Sequence, residues 1–472
     1  MYEKTGNAAG KQEKKEMETG HFIGIVIALS ILIGVGIYSS NKVKNAADFD
    51  SGGGKGSIFM VSGLLLGSLI GGQCTIGTAQ LSYTYGLSAV WFTVGAGLGA
   101  LVLCLIYVAP LRRRRDVTLL EVIRKEYGET AEYLGSILCS IGILVSIISN
   151  VVASSALMMA LTGVPLWIGA VLSVLLMCCY VVFGGAWGAE MGGIVKVALL
   201  LLTSAVCVIL CFVKSGGPVA LGGTLELHLS DLFSRGVGRD LSNCMSAILG
   251  VLSTQTYAQA VWSAKNYHIA KKAALISCMI CIPVGFTGMV VGLFMRGTDL
   301  SNPAEAFPMF LLDNLPPVVG GIGLGALLIT VVTGGGGLAL GVSTIFIRDI
   351  AGRLAPSLHH GKAHIVAMRL CILGVLSFAG LVAVMIPGAL INDLGFLSMG
   401  LRGTVVFIPL TLALFCKGRF RKGPVLASMV CGPAVMLFSN LVWSPVDPLL
   451  GSVALCLFIC MFGYKSGEVE KL

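Results

Sequence analysis

Thirteen long apolar stretches dominate this chain and leave little of it for a water-soluble core. They fall near residues 22–39, 58–86, 88–109, 132–160, 165–183, 187–213, 240–262, 269–296, 317–346, 365–386, 388–416, 423–441 and 446–463. Each reaches the length of about 17–25 residues that crosses a hydrocarbon core of about 30 Å. With 56% hydrophobic and 12% charged residues, the chain is predicted to be an all-α polytopic membrane protein.

Two of these stretches are interrupted at mid-depth by polar or glycine-rich residues. The second contains Gly71-Gly72-Gln73-Cys74-Thr75-Ile76-Gly77, and the seventh contains Ser253-Thr254-Gln255-Thr256. Unwound backbone within a bilayer is tolerated only where protein or a water-filled cavity satisfies its N–H and C=O groups. Paired interruptions in the two halves of a chain are typical of transporters, which bind their solutes there. The pattern therefore predicts a transporter.

The basic residues predict the orientation of the spans. If the N-terminus lies outside, 22 of the 32 Lys and Arg fall in cytoplasmic segments and eight fall outside, while Lys196 and Arg402 lie within spans. The positive-inside rule then favours an N-out, C-in arrangement. Residues 1–21 become an extracellular tail, 22–464 the transmembrane domain and 465–472 a cytoplasmic tail. This bias also explains the net charge of +9, so no nucleic-acid partner is predicted.

Other function classes find less support in the sequence. The six histidines lie at span ends or in loops and no carboxylate pair suggests acid–base chemistry, so an enzyme is not expected. A channel would need a continuous polar stripe or charged ring along a pore. A sensor or receptor would need a signalling domain, and only about eight residues follow the last stretch. The fifteen cysteines lack CxxC spacing and are predicted to be free buried thiols; no cleavable signal peptide and no cofactor are expected.

Several short motifs together resemble the sodium/solute symporter family. They are Asn41-Lys42-Val43-Lys44-Asn45, Gly77-Thr78-Ala79-Gln80-Leu81, Thr118-Leu119-Leu120-Glu121, Gly184-Gly185-Ala186-Trp187, Gln255-Thr256-Tyr257-Ala258-Gln259 and Arg348-Asp349. The resemblance covers about residues 20–465. It implies a LeuT-type core of two five-helix inverted repeats, at about 58–213 and 240–416. It also implies sodium-coupled uptake of a small polar organic solute by alternating access, in the plasma (cell inner) membrane.

Candidate site residues lie at the two breaks. Amides and hydroxyls there could bind a small polar solute, and the candidates are Gln73, Thr75, Thr78, Thr254, Gln255 and Tyr257. Interhelical hydrogen bonding is the alternative role for the same groups. The family resemblance implies a sodium site made by the carbonyls of Gly71, Cys74 and Thr330 and the hydroxyl of Thr333.

The chain departs from the family pattern in the fifth core helix. A Thr-Asp pair followed three residues later by Gln is replaced here by Gly192, Gly193 and Lys196. Lys196 lies about 14 Å into the membrane, counted from Trp187 at 1.5 Å per residue, where an ammonium is costly and a functional role is favoured. The alternative to sodium coupling is therefore sodium-independent or proton-coupled transport, in which Lys196 replaces the cation.

Two further features leave their roles open. The family's hydroxyl-rich run in the eighth core helix becomes Thr333 followed by Gly334-Gly335-Gly336-Gly337. These glycines permit either close helix packing or a locally weakened helix, one that moves or that makes room for the Lys196 side chain. Arg402 lies mid-span, in a paired structural role or on the transport pathway. Because no charged residue flanks both breaks, sugars, amino acids and carboxylates all remain candidate solutes.

Overall fold

The computed structural model describes residues 17–40, 56–114, 116, 118–223, 230–352, 361–441 and 448–465. In these segments the regular structure is helical, apart from isolated β-bridges between Gly56 and Ala264 and between Phe420 and Tyr464. The α-helices are α1 (Thr19–Ser40), α2 (Ile58–Leu69), α3 (Thr78–Tyr85), α4 (Val90–Val102), α5 (Val108–Arg113), α6 (Leu119–Tyr127), α7 (Glu129–Thr162), α8 (Leu166–Ser215), α9 (Pro218–Gly223), α10 (Val237–Leu252), α11 (Gln255–Ser263), α12 (Tyr267–Met295), α13 (Ala306–Asn314), α14 (Pro317–Ile345), α15 (Gly361–Met385), α16 (Ile391–Arg402), α17 (Ile408–Phe415), α18 (Lys422–Leu441) and α19 (Pro448–Met461). The predicted all-α class is confirmed.

Many of these helices are built to cross a bilayer. By length and composition, seven segments among the described residues suffice: Gln73–Arg113, Glu129–Thr162, Met191–Ser215, Tyr267–Met295, Pro317–Ala351, Lys362–Met385 and Ile391–Phe415. Large apolar side chains such as Leu202, Ile209 and Phe378 are exposed on their outer faces, where lipid rather than water suits them. The multi-pass membrane protein is confirmed, while the count of thirteen spans and their orientation stay predictions.

The two predicted interruptions are present as breaks in the helices. Helix α2 ends at Leu69, and a π-helical turn, Gln73–Gly77, leads into α3. Helix α10 ends at Leu252, and α11 begins at Gln255 after the extended Thr254 (φ −97°, ψ 126°). Residues on both sides of each break are buried in protein. This satisfies the condition under which broken helices survive in a membrane.

Helix α8 holds both of the spans predicted at 165–183 and 187–213. A Cβ added to Gly192 would fall 2.7 Å from a ring carbon of Tyr180. Twelve residues of straight helix would separate the two by about 18 Å. The helix therefore turns sharply between them, and its two arms lie side by side.

The short helix α6 is separate from the long apolar helices. Its N-terminus is capped by the Thr118 hydroxyl, which accepts a 3.0 Å hydrogen bond from the Glu121 N–H. Leu119, Leu120, Val122 and Ile123 are buried on one face, and Lys125 on the other pairs with Asp116. The helix is therefore amphipathic.

Candidate functional site

The first break is pinned by a buried asparagine on a neighbouring helix. The Gly72 N–H donates 2.9 Å to Oδ1 of Asn150 on α7. A Cβ on Gly71 would lie 2.7 Å from that same oxygen, so only glycine lets the break approach α7 this closely. The π-helical turn that follows is a feature often found at functional sites.

The second break carries buried hydroxyls. Thr254 donates a 2.5 Å hydrogen bond to the carbonyl of Gly250 in the last turn of α10. The Ser253 hydroxyl is buried and has no hydrogen-bond partner among the described residues. Such a group costs free energy unless a ligand or water satisfies it.

A hydrogen-bond network joins the two breaks. The Gln73 amide donates 3.2 Å to the Ser146 hydroxyl on α7. Arg402, at the end of α16, donates 3.5 Å to the same hydroxyl and 2.8 Å to the Thr254 hydroxyl. Its Nε donates 3.1 Å to the Ser398 carbonyl one turn back. Arg402 therefore connects the first break, through Ser146, to the second break directly.

One face of α16 runs along both breaks. Its residues recur at helical spacing, with Asn392 beside Gly77, Gly395 beside Gln73, Met399 beside Gly250 and Arg402 on Thr254. The start of α16 is fixed at Ile391, whose N–H donates 2.9 Å to the Gln80 amide oxygen and whose carbonyl accepts 2.7 Å from Ser149. The Asn392 amide is buried with neither its oxygen nor its nitrogen partnered among the described residues.

The other predicted solute residues separate into two groups. Thr75 and Thr78 donate to the carbonyls of Gly71 (3.2 Å) and Gln73 (3.0 Å) within the first break. Tyr257 is buried and lies within electrostatic range of Arg402. Gln255 points elsewhere, because its Oε1 accepts 2.9 Å from the Leu119 N–H at the start of α6.

Lys196 lies at the end of α2, beside the first break. Its ammonium is fully buried and donates 2.5 Å to the carbonyl of Gly67 and 2.6 Å to the carbonyl of Ile70. The last carbonyls of a helix have no helical partner and carry the negative end of its dipole. A cation is therefore stabilised here, and the side-chain nitrogen of Lys196 occupies this position. The sequence predicts contact with the neighbouring carbonyls of Gly71 and Cys74, whereas the observed bonds lie one turn earlier in the chain.

Two glycines bring Lys196 within reach of these carbonyls. A Cβ on Gly193 would overlap the carbonyl oxygen of Gly63, so α8 and α2 meet backbone to backbone at this point. One turn further along each helix lie Lys196 and Gly67. Small residues permit such close helix contacts in membranes. The glycine at residue 193, where the chain departs from the family pattern, thus lets Lys196 reach the carbonyls of α2.

The four candidate sodium ligands lie around the same break. The Gly71 carbonyl accepts from the Thr75 hydroxyl and, at 3.2 Å, from the Cys74 N–H. On α14, the Thr333 hydroxyl donates 3.3 Å to the Thr330 carbonyl. These oxygens keep lone pairs, and Gly334 brings α14 against Gly71, since an added Cβ would lie 2.9 Å from the Gly71 Cα.

The four glycines of α14 pack closely against three other elements. A Cβ added to Gly334 would contact the first break, and one added to Gly335 would lie 2.7 Å from Met177. A Cβ on Gly336 would contact Val181, and one on Gly337 would lie 2.9 Å from Ser68. Of the two roles left open by the sequence, close packing is what the structure has.

Sequence reasoning overlooked the polar residues of α7. Ser146, Ser149 and Asn150 all bond to the breaks or to α16, yet none was a candidate. Their spacing of three and four residues within an otherwise apolar span is the signal that could have found them.

Comparison with known proteins decides the family. The model of the sodium:solute symporter family matches residues 49–432. The chain belongs to this family. It is a membrane transporter rather than an enzyme.

The similarity to named relatives covers more than nine tenths of this chain. The high affinity choline transporter 1 of Homo sapiens is 23% identical over 91% of this chain and 78% of its own length. The sodium/pantothenate symporter of Escherichia coli is 21% identical over 96% of this chain and 97% of its own. A solved Na⁺-coupled sialic acid symporter superposes with a TM-score of 0.79 at 16% identity, covering 96% of this chain and all of its own. The last comparison establishes the fold of this family member.

Proposed function

We propose that this family member carries a small polar organic solute across the plasma membrane by alternating access, with the solute held between the two helix breaks. The observation that carries the proposal is that hydrogen bonds through Ser146 and Arg402 connect the two breaks. Gln73 of the first break bonds to Ser146, and Arg402 bonds both to Ser146 and to Thr254 of the second break. A solute at that point contacts both predicted repeats, residues 58–213 and 240–416. Its binding can therefore bias how the two repeats are arranged.

The solute site comprises five of the six residues predicted from the sequence: Gln73, Thr75, Thr78, Thr254 and Tyr257. We assign Gln255 a different role, because its bond to Leu119 ties α11 to α6 on the predicted cytoplasmic side. Breaking this bond is part of opening that side.

Sodium is the coupling ion that we propose first. Membership of the family and the names of the pantothenate and sialic acid relatives support it. The carbonyl oxygens of Gly71, Cys74 and Thr330 and the hydroxyl of Thr333 are of the kind that a hard cation binds. Sodium would enter this site as a transported co-substrate.

A specific contact favours a second candidate for coupling. The Lys196 ammonium donates hydrogen bonds to the carbonyls of Gly67 and Ile70 at the C-terminal end of α2. A cation is stabilised at this helix end without sodium. If this proton-carrying group does the cation's task, transport is independent of sodium and can be coupled to protons.

Uptake into proteoliposomes tests both couplings. Pantothenate, proline, sialic acid and choline would be offered under a sodium gradient, a proton gradient or neither, to the wild type, to Lys196→Gln and to the exposed control Lys272→Gln. Sodium-driven uptake in the wild type that survives in Lys196→Gln supports sodium coupling. If uptake needs no sodium and is abolished by Lys196→Gln but not by Lys272→Gln, the result supports coupling through Lys196.

The solute site has its own test. Gln73→Ala should weaken binding of the transported solute by about 1–3 kcal/mol, because a buried hydrogen-bond partner is lost. Gln255→Ala should alter the uptake rate more than the affinity. Full affinity in Gln73→Ala, with the protein correctly inserted, would refute the placement of the solute.

A further inference from the structure

Arg402 is a fully buried positive charge in the middle of the site. Its side chain is 1% exposed and reaches from the end of α16 to the second break. A guanidinium in this position is costly unless it is paired with a negative charge. The identity of that negative charge bears on what the site binds.

The protein supplies Arg402 with neutral acceptors. The three oxygens that it contacts belong to a carbonyl, Ser398, and to two hydroxyls, Thr254 and Ser146. A guanidinium carries five N–H hydrogens, so these bonds leave two of them for another partner. Neutral oxygens satisfy hydrogen bonds but do not cancel the charge.

The nearby carboxylates of the described residues are engaged elsewhere. Asp349 accepts from Thr118 and Ser136, toward the predicted cytoplasmic side. Asp393, at the opposite end of α16, is paired with Arg235 and Arg239. No ion pair to Arg402 occurs within the part of the chain that the structure describes.

Two other buried polar groups, one at the second break and one at the far end of α16 about 15 Å from Arg402, also have no partner among the described residues. The Ser253 hydroxyl is adjacent in sequence to Thr254, which Arg402 contacts. The Asn392 amide, on the same face of α16, is buried and unpartnered at both polar atoms among the described residues. A buried cation, with unsatisfied neutral groups at the second break and at the far end of α16, fits a ligand that has an anionic end and a polar remainder.

We propose that the solute carries a carboxylate and that Arg402 binds it, an inference that rests on the proposed solute site between the breaks. A carboxylate matches the two free N–H groups of the guanidinium and supplies the missing charge. Cationic solutes are disfavoured by repulsion. A neutral solute leaves the buried charge uncompensated.

The test uses matched pairs of compounds on the purified full-length protein. Thermal unfolding and equilibrium binding would be measured with pantothenate and pantothenol, proline and prolinamide, sialic acid and its methyl ester, and choline. At least one acid should stabilise the wild type while its partner without the carboxylate does not. Arg402→Gln should weaken binding of that acid about thirty-fold or more, the lower end for truncating one partner of a buried charge pair. The surface control Arg419→Gln should bind as the wild type does.

Three results would overturn the proposal. The first is that choline, or a partner without the carboxylate, stabilises the protein as strongly as the acid does, or that none of the acids stabilises it. The second is stabilisation by chloride alone that Arg402→Gln removes while no acid competes, which would assign the guanidinium to an inorganic anion. The third is a fall of several degrees in the ligand-free unfolding temperature of both Arg402→Gln and Arg402→Lys, which would assign it to packing.

Failure of this inference is distinguishable from failure of the transport site. Choline or pantothenol uptake that is lost in Gln73→Ala would keep the solute site and reject the carboxylate. Acid binding that depends on Arg402 but not on Gln73 would keep the carboxylate and reject the site between the breaks.

Discussion

Replacing Lys196 by methionine tests how the end of α2 is stabilised. The side chain keeps a similar length, but the ammonium that donates 2.5 and 2.6 Å hydrogen bonds to Gly67 and Ile70 is removed. Two carbonyls at the negative end of a buried helix then lose their cation.

The expected cost follows from the two bonds. Hydrogen bonds to a charged group contribute about 1.5–3 kcal/mol each, so about 3–6 kcal/mol is lost. Relief of the buried ammonium offsets part of this loss. We therefore expect the free energy of unfolding to fall by about 2–4 kcal/mol.

The same change should make the unfolding temperature depend more strongly on sodium than it does in the wild type. The freed carbonyls, with the nearby Gly71 and Thr333 oxygens, offer the ligands that a hard cation takes. At a tenfold excess over its dissociation constant, an ion that binds only the folded state restores about 1.4 kcal/mol. Thermal unfolding in sodium against potassium, at equal ionic strength, measures both effects, with Lys272→Met as the exposed control.

Either of two outcomes would refute this reasoning. A Lys196→Met variant as stable as the wild type would mean that the two bonds contribute nothing. A destabilised variant that sodium does not stabilise more than potassium would mean that the end of α2 is not a cation site.

Three further predictions concern packing, the first break and orientation. Gly193→Ala should destabilise the protein by about 1–3 kcal/mol, because the new Cβ overlaps the Gly63 carbonyl. Gly374→Ala, which has open space around it, should be neutral or slightly stabilising, and unfolding of the two variants measures the difference. Asn150→Leu should lower solute affinity by about 1–3 kcal/mol, because the Gly72 N–H loses its acceptor, and Asn150→Asp, which keeps that oxygen, should retain more; equal affinities would contradict this. In a cysteine-free background, an impermeant thiol reagent should label Ser301→Cys from outside and Lys272→Cys only after permeabilisation, and the reverse pattern would invert the proposed topology.

Apolar length and backbone-breaking residues made the fold predictable. Helices α2, α10 and α11 begin and end within a few residues of the predicted bounds, because the Gly71-Gly72 pair and the Ser253-Thr254 pair are visible in the sequence. The fifteen cysteines, all in described residues, are free thiols; eleven are buried as predicted, whereas Cys179, Cys371, Cys416 and Cys431 are not. The sharp turn inside α8 agrees with two predicted spans, although the helical backbone continues through it.

The partners of the site residues were harder to predict. Gln73 and Gln255 occupy similar places in their breaks, yet one amide faces Ser146 and the other faces the backbone of Leu119. Side-chain direction depends on which helix lies opposite, and single-sequence spacing does not contain that information. Lys196 was recognised because a charged residue is costly within a membrane. Its observed acceptors lie one turn before the predicted ones, because the contact of Gly63 with Gly193 sets how far the lysine reaches.

The packing at Gly334 restricts which substitutions this position accepts. The family pattern has a hydroxyl at this position, and a single Gly334→Ser substitution would supply it. The new Cβ would lie 2.9 Å from the Gly71 Cα and 3.0 Å from the Asn150 Oδ1, so the break would have to move before the hydroxyl could serve as a ligand. A hydroxyl ligand at residue 334 therefore requires the first break and Asn150 to shift together, so this position resists a single substitution.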